Sequence, residues 1–182
     1  MPAKTPFRLI ADACKRTVTS VVLIGGQALG AHGYQRLTLD VDFLITEGDF
    51  NLLREPLSKA GYREVVRTDV AVKLSSDAED LIDIDFMFVD TKTFEKIKGE
   101  GKEESYDGHP FCVPKLEHLI ALKLHAIKQQ PKVRELKDLS DIVELIRRNR
   151  VDVGSEAFRS TCLNFGTPEL YQKILEYTQD EG

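Results

Sequence analysis

The sequence predicts an α+β protein: a mixed β-sheet flanked by helices, followed by a C-terminal helical subdomain. Three observations carry this. Strand-like and helix-like segments alternate up to Val113, only helical patterns follow Pro114, and two of the strands each hold a pair of aspartates. The soft boundary near Pro114 divides the chain into an α/β core, 1–113, and a helical part, 114–182. At 182 residues, 42% hydrophobic and 30% charged, the chain has the composition of a globular domain.

Each element has a local signal. Thr5-Pro6 pairs a capping residue with proline at the first helical position, and Phe7, Ile10, Ala11 and Cys14 then follow helical spacing. Val21 to Ile24 is a short β-branched run that stops at Gly25-Gly26. A brief helix is expected over Gln27 to Ala31 with Gly33 as its stop, then a strand over Val41 to Ile45. Asp49 to Ala60 has a helical pattern in Phe50, Leu52, Leu53 and Leu57, but Pro56 should kink or shorten it. REVVRT (63–68) and VAVKLS (70–75) suit a hairpin, and LIDIDFMFV (81–89) is the strongest strand in the chain. A short helix at 91–99 and a strand at His109 to Val113 complete the core. Helices are expected at 115–130, 135–149, 155–164 and 168–178.

Charge and cysteine usage exclude some classes. A net charge of -5 argues against a broad non-specific nucleic-acid footprint, while leaving room for a local basic cleft. Cys14, Cys112 and Cys162 are odd in number and far apart, which supports neither a disulfide framework nor a zinc site. No secretory signal pattern and no membrane-length apolar run is present, so a cytoplasmic protein is expected.

The chemistry lies in the aspartates. Asp40 and Asp42 are two apart on a strand and share a face, while Val41 and Phe43 point into a core. Such carboxylates repel, and a divalent cation such as Mg²⁺ would relieve them; a solvated edge face or pairing with Arg36 would do so as well. Asp83 and Asp85 share a face of the later, very apolar strand, where carboxylates are harder to explain. If the two strands are neighbours, three carboxylates can gather, as at sites of metal-assisted phosphoryl or nucleotidyl transfer. Alternation alone does not choose between Asp83 and Asp85. Gly25-Gly26, where a strand hands over to a helix, suits phosphate approach and equally suits a tight turn.

The helical half adds two candidates. Leu116, Ile120, Lys123 and Ile127 share one stripe, and a lysine there needs a partner or a route to water. A nucleotide phosphate is one such partner. In the next helix Leu136, Leu139, Val143 and Ile146 form the expected apolar face. Arg134–Asp138 and Lys137–Asp141 then fall on the solvent side as i, i+4 pairs. None of His32, His109, His118 and His125 has a partner pattern that assigns it a catalytic role.

The stretch GGQALGAHGYQRLTLDVDFLI resembles the nucleotidyltransferase superfamily of DNA polymerase β type, in its AbiEii/AbiGii toxin-like branch. That branch has a signature close to GG-x-A-x-x-x-HG-x-x-R-x-T-x-D-x-D. It is met at Gly25, Gly26, Ala28, His32, Gly33, Arg36, Thr38, Asp40 and Asp42. DIDFMFVDT is similar to the later aspartate strand, LEHLIALKLHAIKQ and RELKDLSDIVEL to the C-terminal helices, and FGTPELYQKI more loosely to the tail. Gly26 stands where many superfamily members have serine.

The resemblance implies a nucleotidyltransferase fold and a Mg²⁺- or Mn²⁺-dependent transfer of an NMP from an NTP. Asp40, Asp42 and Asp85 would be metal-holding and catalytic. Gly25, Gly26, Arg36, Thr38, Lys123 and Asp138 would bind the nucleotide. It further implies an acceptor that is tRNA or another RNA, a protein or a small molecule, with toxin activity and an antitoxin partner, and no membrane. A non-catalytic nucleotide-binding or interaction module on the same fold is the alternative, and a phosphohydrolase a third reading.

Overall fold

A computed structural model describes residues 5–179. Two compact units emerge. One holds the chain up to Ala28 together with Arg36–Pro114; the other holds Leu29–Gln35 and the chain from Lys115 onward.

The first unit is a sheet with helices. Its helix α1 (Pro6–Thr17) starts as the capping signal predicts, with the Thr5 hydroxyl accepting the Arg8 N–H, and buries Phe7, Ile10 and Ala13. The strand β1 (Val22–Ile24) is fully buried and runs into the one-turn helix α2 (Gly25–Ala28), two residues earlier than expected. After β2 (Asp40–Ile45) comes α3 (Glu47–Ala60), which continues through Pro56. The expected interruption is absent because the carbonyl that loses its donor belongs to Leu52, on the exposed side, while Phe50, Leu53 and Leu57 anchor the buried side.

The remainder of this unit comprises β3 (Tyr62–Arg67), β4 (Ala71–Ser76), β5 (Asp83–Phe88), α4 (Thr91–Gly99), β6 (Lys102–Tyr106) and β7 (His109–Val113). Sequence patterning misses β6: its KEESY lies on a sheet edge, so no alternate position carries a core side chain.

The strands form one mixed sheet in the order β3-β4-β5-β2-β1-β7-β6. The β2–β5 and β1–β7 pairs are parallel, and the other neighbours are antiparallel. Central β2 and β5 divide their side chains by alternation. Val41, Phe43, Ile84 and Phe86 are fully buried on one face. There Phe86 meets Phe43 at 5.8 Å and Phe50 at 5.1 Å between ring centroids, and Phe43 meets Phe111 at 5.6 Å. The opposite face carries the aspartates.

The second unit contains a 3-10 turn (Leu29–His32) and helices α5 (Leu116–Gln129), α6 (Pro131–Asn149), α7 (Glu156–Phe165) and α8 (Pro168–Gln179). The turn is tied to the end of α6, whose Arg148 and Asn149 donate to the carbonyls of Gly33 and His32. Packed against both α6 and α7, α5 buries Leu119, Ala121 and Leu124 besides the expected Ile120, Lys123 and Ile127. The expected face of α6 is corrected: Leu136 is 89% exposed, while Asp138 and Asp141 are buried. The helix is turned so that its acids face inward, because they meet the buried lysine of α5.

Two predictions follow from this packing. Phe86→Ala should lower the unfolding free energy by about 3–5 kcal/mol in a urea titration, through lost burial and a cavity between two neighbouring rings. Burial pushes the Cys162 thiol from 9.0 up to about 12. In the unfolded chain that thiol ionises near its ordinary value, so stability should fall as pH rises through the window between them. At the lower end Cys162 should resist alkylation in the folded protein and react once urea unfolds it.

Candidate active site

The site begins with strand register. β2 and β5 run parallel with Asp40 beside Asp83 and Asp42 beside Asp85, so all four carboxylates leave the same face. Carboxylate oxygens of Asp40, Asp42 and Asp85 come within 4.8 Å of one another, each side chain half-buried. Asp83 stands outside that group. Its carboxylate meets Lys73 Nζ of β4 at 2.9 Å, and this hydrogen bond, aided by one from Ser75, holds its carboxyl below the usual range. The alternation left Asp83 and Asp85 equivalent; the structure gathers Asp85 with the β2 pair and gives Asp83 to a cation.

The loop before β2 positions Asp40. The Thr38 hydroxyl lies 2.6 Å from Asp40 Oδ1 and donates to it. Such a bond fixes one carboxylate oxygen and leaves the other free to face the cluster.

The two glycines meet this loop directly. Gly25 has φ +65°, and a Cβ there would stand 1.9 Å from Asp42 Oδ2. Only glycine lets the chain leave β1 in this conformation with the Asp42 carboxylate against its backbone. At Gly26 a Cβ would lie 3.0 Å from the Thr38 side chain and 3.2 Å from Arg36 Nη1. Arg36 itself donates to the Leu37 carbonyl at 3.3 Å. Thus Gly25, Gly26, Arg36, Thr38, Asp40, Asp42 and Asp85 converge within the sheet unit. The glycine pair makes room for the aspartate loop, a role its strand-ending position in the sequence did not reveal.

Lys123 and Asp138 belong to the helical unit, where they meet each other. Lys123 Nζ lies 2.8 Å from Asp138 Oδ1 and 2.7 Å from Asp141 Oδ2, with all three residues buried. The solvent-side placement expected for Asp138 and Asp141 is therefore overturned, and the lysine does not snorkel to the surface. Asp138 Oδ2 is buried without a hydrogen-bond partner among the described residues. One ammonium between two carboxylates leaves an excess of negative charge in a low-dielectric interior.

Sequence reasoning missed two residues. Asp141 sits three positions after Asp138, a spacing that puts both on one helix face. Lys73 lies between buried Val72 and Leu74, so strand alternation puts it on the face opposite the core, where the aspartates stand.

Lys123→Met should destabilise the protein by about 3–5 kcal/mol in denaturant titration, because two buried carboxylates lose their counter-charge. Asp138→Asn, which leaves Lys123 paired with Asp141, should cost less. Equal stability of wild type and Lys123→Met would show that the buried charges are compensated in another way.

Comparison with known proteins bears on the family and the fold. Residues 9–181 match the profile of the family described as nucleotidyl transferase AbiEii toxin, type IV TA system. No curated protein matches the sequence. Among solved structures the chain is similar to the antibiotic-resistance factor ANT(2'')-Ia in solution. The TM-score is 0.57 at 16% identity, over 95% of this chain and 89% of that one. It is also similar to the lincosamide antibiotic adenylyltransferase LnuA with lincomycin bound, with TM-score 0.52 at 15% identity over 75% and 91% of the two chains. A third is the Megavirus polyadenylate synthase, with TM-score 0.54 at 17% identity over 80% of this chain and 32% of that one. These likenesses show a nucleotidyltransferase fold, and the profile spans nearly the whole sequence. The chain belongs to the AbiEii nucleotidyltransferase family of toxin–antitoxin systems, and its enzymatic class is the transfer of nucleotidyl groups.

Proposed function

We propose that the protein transfers an NMP group from an NTP to an acceptor hydroxyl, using Mg²⁺ or Mn²⁺ held by Asp40, Asp42 and Asp85. The observation that carries this is the crowding of three carboxylates within 4.8 Å on two adjacent parallel strands. The donor set fits a hard divalent cation: all its ligands are oxygens, its like charges repel, Thr38 braces Asp40, and Gly25 leaves room for Asp42. The chemistry a bound cation supplies at such a cluster is neutralisation of charge at the transferring phosphoryl group.

The chain's own groups divide the remaining work. Asp85 takes the proton of the acceptor hydroxyl as it attacks the α-phosphorus and pyrophosphate departs. Asp40 is held in orientation by Thr38, and the missing side chain at Gly25 leaves room for Asp42. The N–H groups at Gly25 and Gly26 face the nucleotide phosphates, and Arg36 braces the loop beside them. A triphosphate contact by Lys123, with Asp138 as a nucleotide-binding residue, is a secondary part of the proposal, since the Lys123 ammonium is already paired inside the helical unit.

The acceptor is an RNA such as tRNA, a protein or a small molecule. Toxicity relieved by an antitoxin partner is the biological setting that the family supports. The small-molecule arm draws on ANT(2'')-Ia and LnuA, named as an antibiotic-resistance factor and an antibiotic adenylyltransferase. Cytoplasmic action is part of the proposal. No helix among the described residues is long and apolar enough to cross a membrane.

The test is a labelled-nucleotide transfer screen with each NTP, Mg²⁺ and either total RNA, protein, or tobramycin and lincomycin as acceptors. Wild type should label one acceptor class, and the Asp40→Ala/Asp42→Ala double variant none. Asp85→Asn should fall by about 10²–10⁴-fold, as expected for a lost general base. Full transfer by the double variant would refute the assignment.

A further inference from the structure

We propose that Lys73 is a positioning residue that decides which aspartate of β5 joins the carboxylate cluster, by binding Asp83 and withholding it from the metal. The inference rests on the reading of Asp40, Asp42 and Asp85 as the metal-holding set. Backbone geometry does not make that choice. Asp83 and Asp85 share one face, and each is directly beside an aspartate of β2. On the other flank, β4 runs antiparallel to β5 and places Lys73 opposite Asp85. Yet the ammonium reaches diagonally to Asp83, 2.9 Å away, a span that long side chains bridge across neighbouring strands. Asp85 is thereby left to face Asp40 and Asp42.

The chemical consequence concerns open coordination positions. Mg²⁺ demands octahedral geometry and in nucleotide enzymes takes few protein carboxylates, leaving positions for substrate phosphates and water. A fourth carboxylate added to the cluster would bind the cation more firmly and crowd those positions. Lys73 neutralises the fourth and so trades cation affinity for phosphate access. With Lys73 and Asp83 side chains 37% and 34% exposed, the pair can be removed without opening the core.

The experiment is calorimetric titration of the full chain with Mn²⁺ alone, without nucleotide, so that no turnover is needed. Thermal melts confirm that each variant is folded. Asp85→Asn should weaken binding by more than the roughly 10–100-fold that loss of an outer-shell partner costs, and Lys73→Ala/Asp83→Asn, which removes the pair together, should bind about as wild type does. Lys73→Ala/Asp85→Asn should recover most of the lost affinity, because Asp83 is released to act in place of Asp85. Lys73→Arg/Asp85→Asn, which keeps the cation and its partner, should not recover. The triple variant Lys73→Ala/Asp83→Asn/Asp85→Asn should be weak again, separating ligation by Asp83 from simple loss of a positive charge.

The inference is overturned if Lys73→Ala/Asp85→Asn stays as weak as Asp85→Asn, if the triple variant also recovers, or if Lys73→Ala/Asp83→Asn loses as much as Asp85→Asn. Absence of Mn²⁺ binding by wild type would instead overturn the metal assignment on which the inference stands.

Discussion

The in-register parallel pairing of β2 with β5 is the constraint on which the site depends. It sets Asp42 beside Asp85 on one face and Phe43 beside Phe86 on the other. Because side chains alternate, a slip of one residue would send phenyl rings to the aspartate face and carboxylates into the core. The apolar cost of that slip, counted over Val41, Phe43, Ile84 and Phe86, locks the register. The aromatic core thus orients the carboxylates it never touches.

The second constraint is steric. A carboxylate at Asp42 can stand against the chain leaving β1 only because Gly25 has no Cβ and accepts a positive φ. Gly26 makes similar room for Thr38, whose hydroxyl holds Asp40. The spacing from the glycine pair to the aspartate pair therefore reflects contact between a turn and a loop that close on each other. This reading adds to the phosphate approach expected of a strand–glycine–helix junction and explains why Gly25 tolerates no side chain and Gly26 leaves little room for one.

Much of this was legible in the sequence. Alternation located both aspartate pairs, Thr5-Pro6 marked a helix start, and the switch to helices after Pro114 matches the continuous run of α5 to α8. What stayed hidden depends on distant neighbours. Asp83 differs from Asp85 in its pairing with Lys73 of a third strand, which no local pattern encodes. The inward turn of Asp138 and Asp141 rests on Lys123 from the preceding helix, and it defeated an apolar-face reading that favoured Leu136. β6 escaped because an exposed edge strand has no hydrophobic period. Charge pairing across elements and exposure at edges are the information that periodicity lacks.

The central claim is that three carboxylates on two parallel strands form one cation site. The most direct measurement is a crystal structure of the protein grown with Mn²⁺ and a non-hydrolysable NTP analogue, with the ion located by anomalous scattering. The account predicts Mn²⁺ bound by Asp40, Asp42 and Asp85, with Asp83 still held by Lys73 and the analogue's phosphates completing the coordination. Mn²⁺ bound elsewhere, or a site built from Asp83 in place of Asp85, would contradict it.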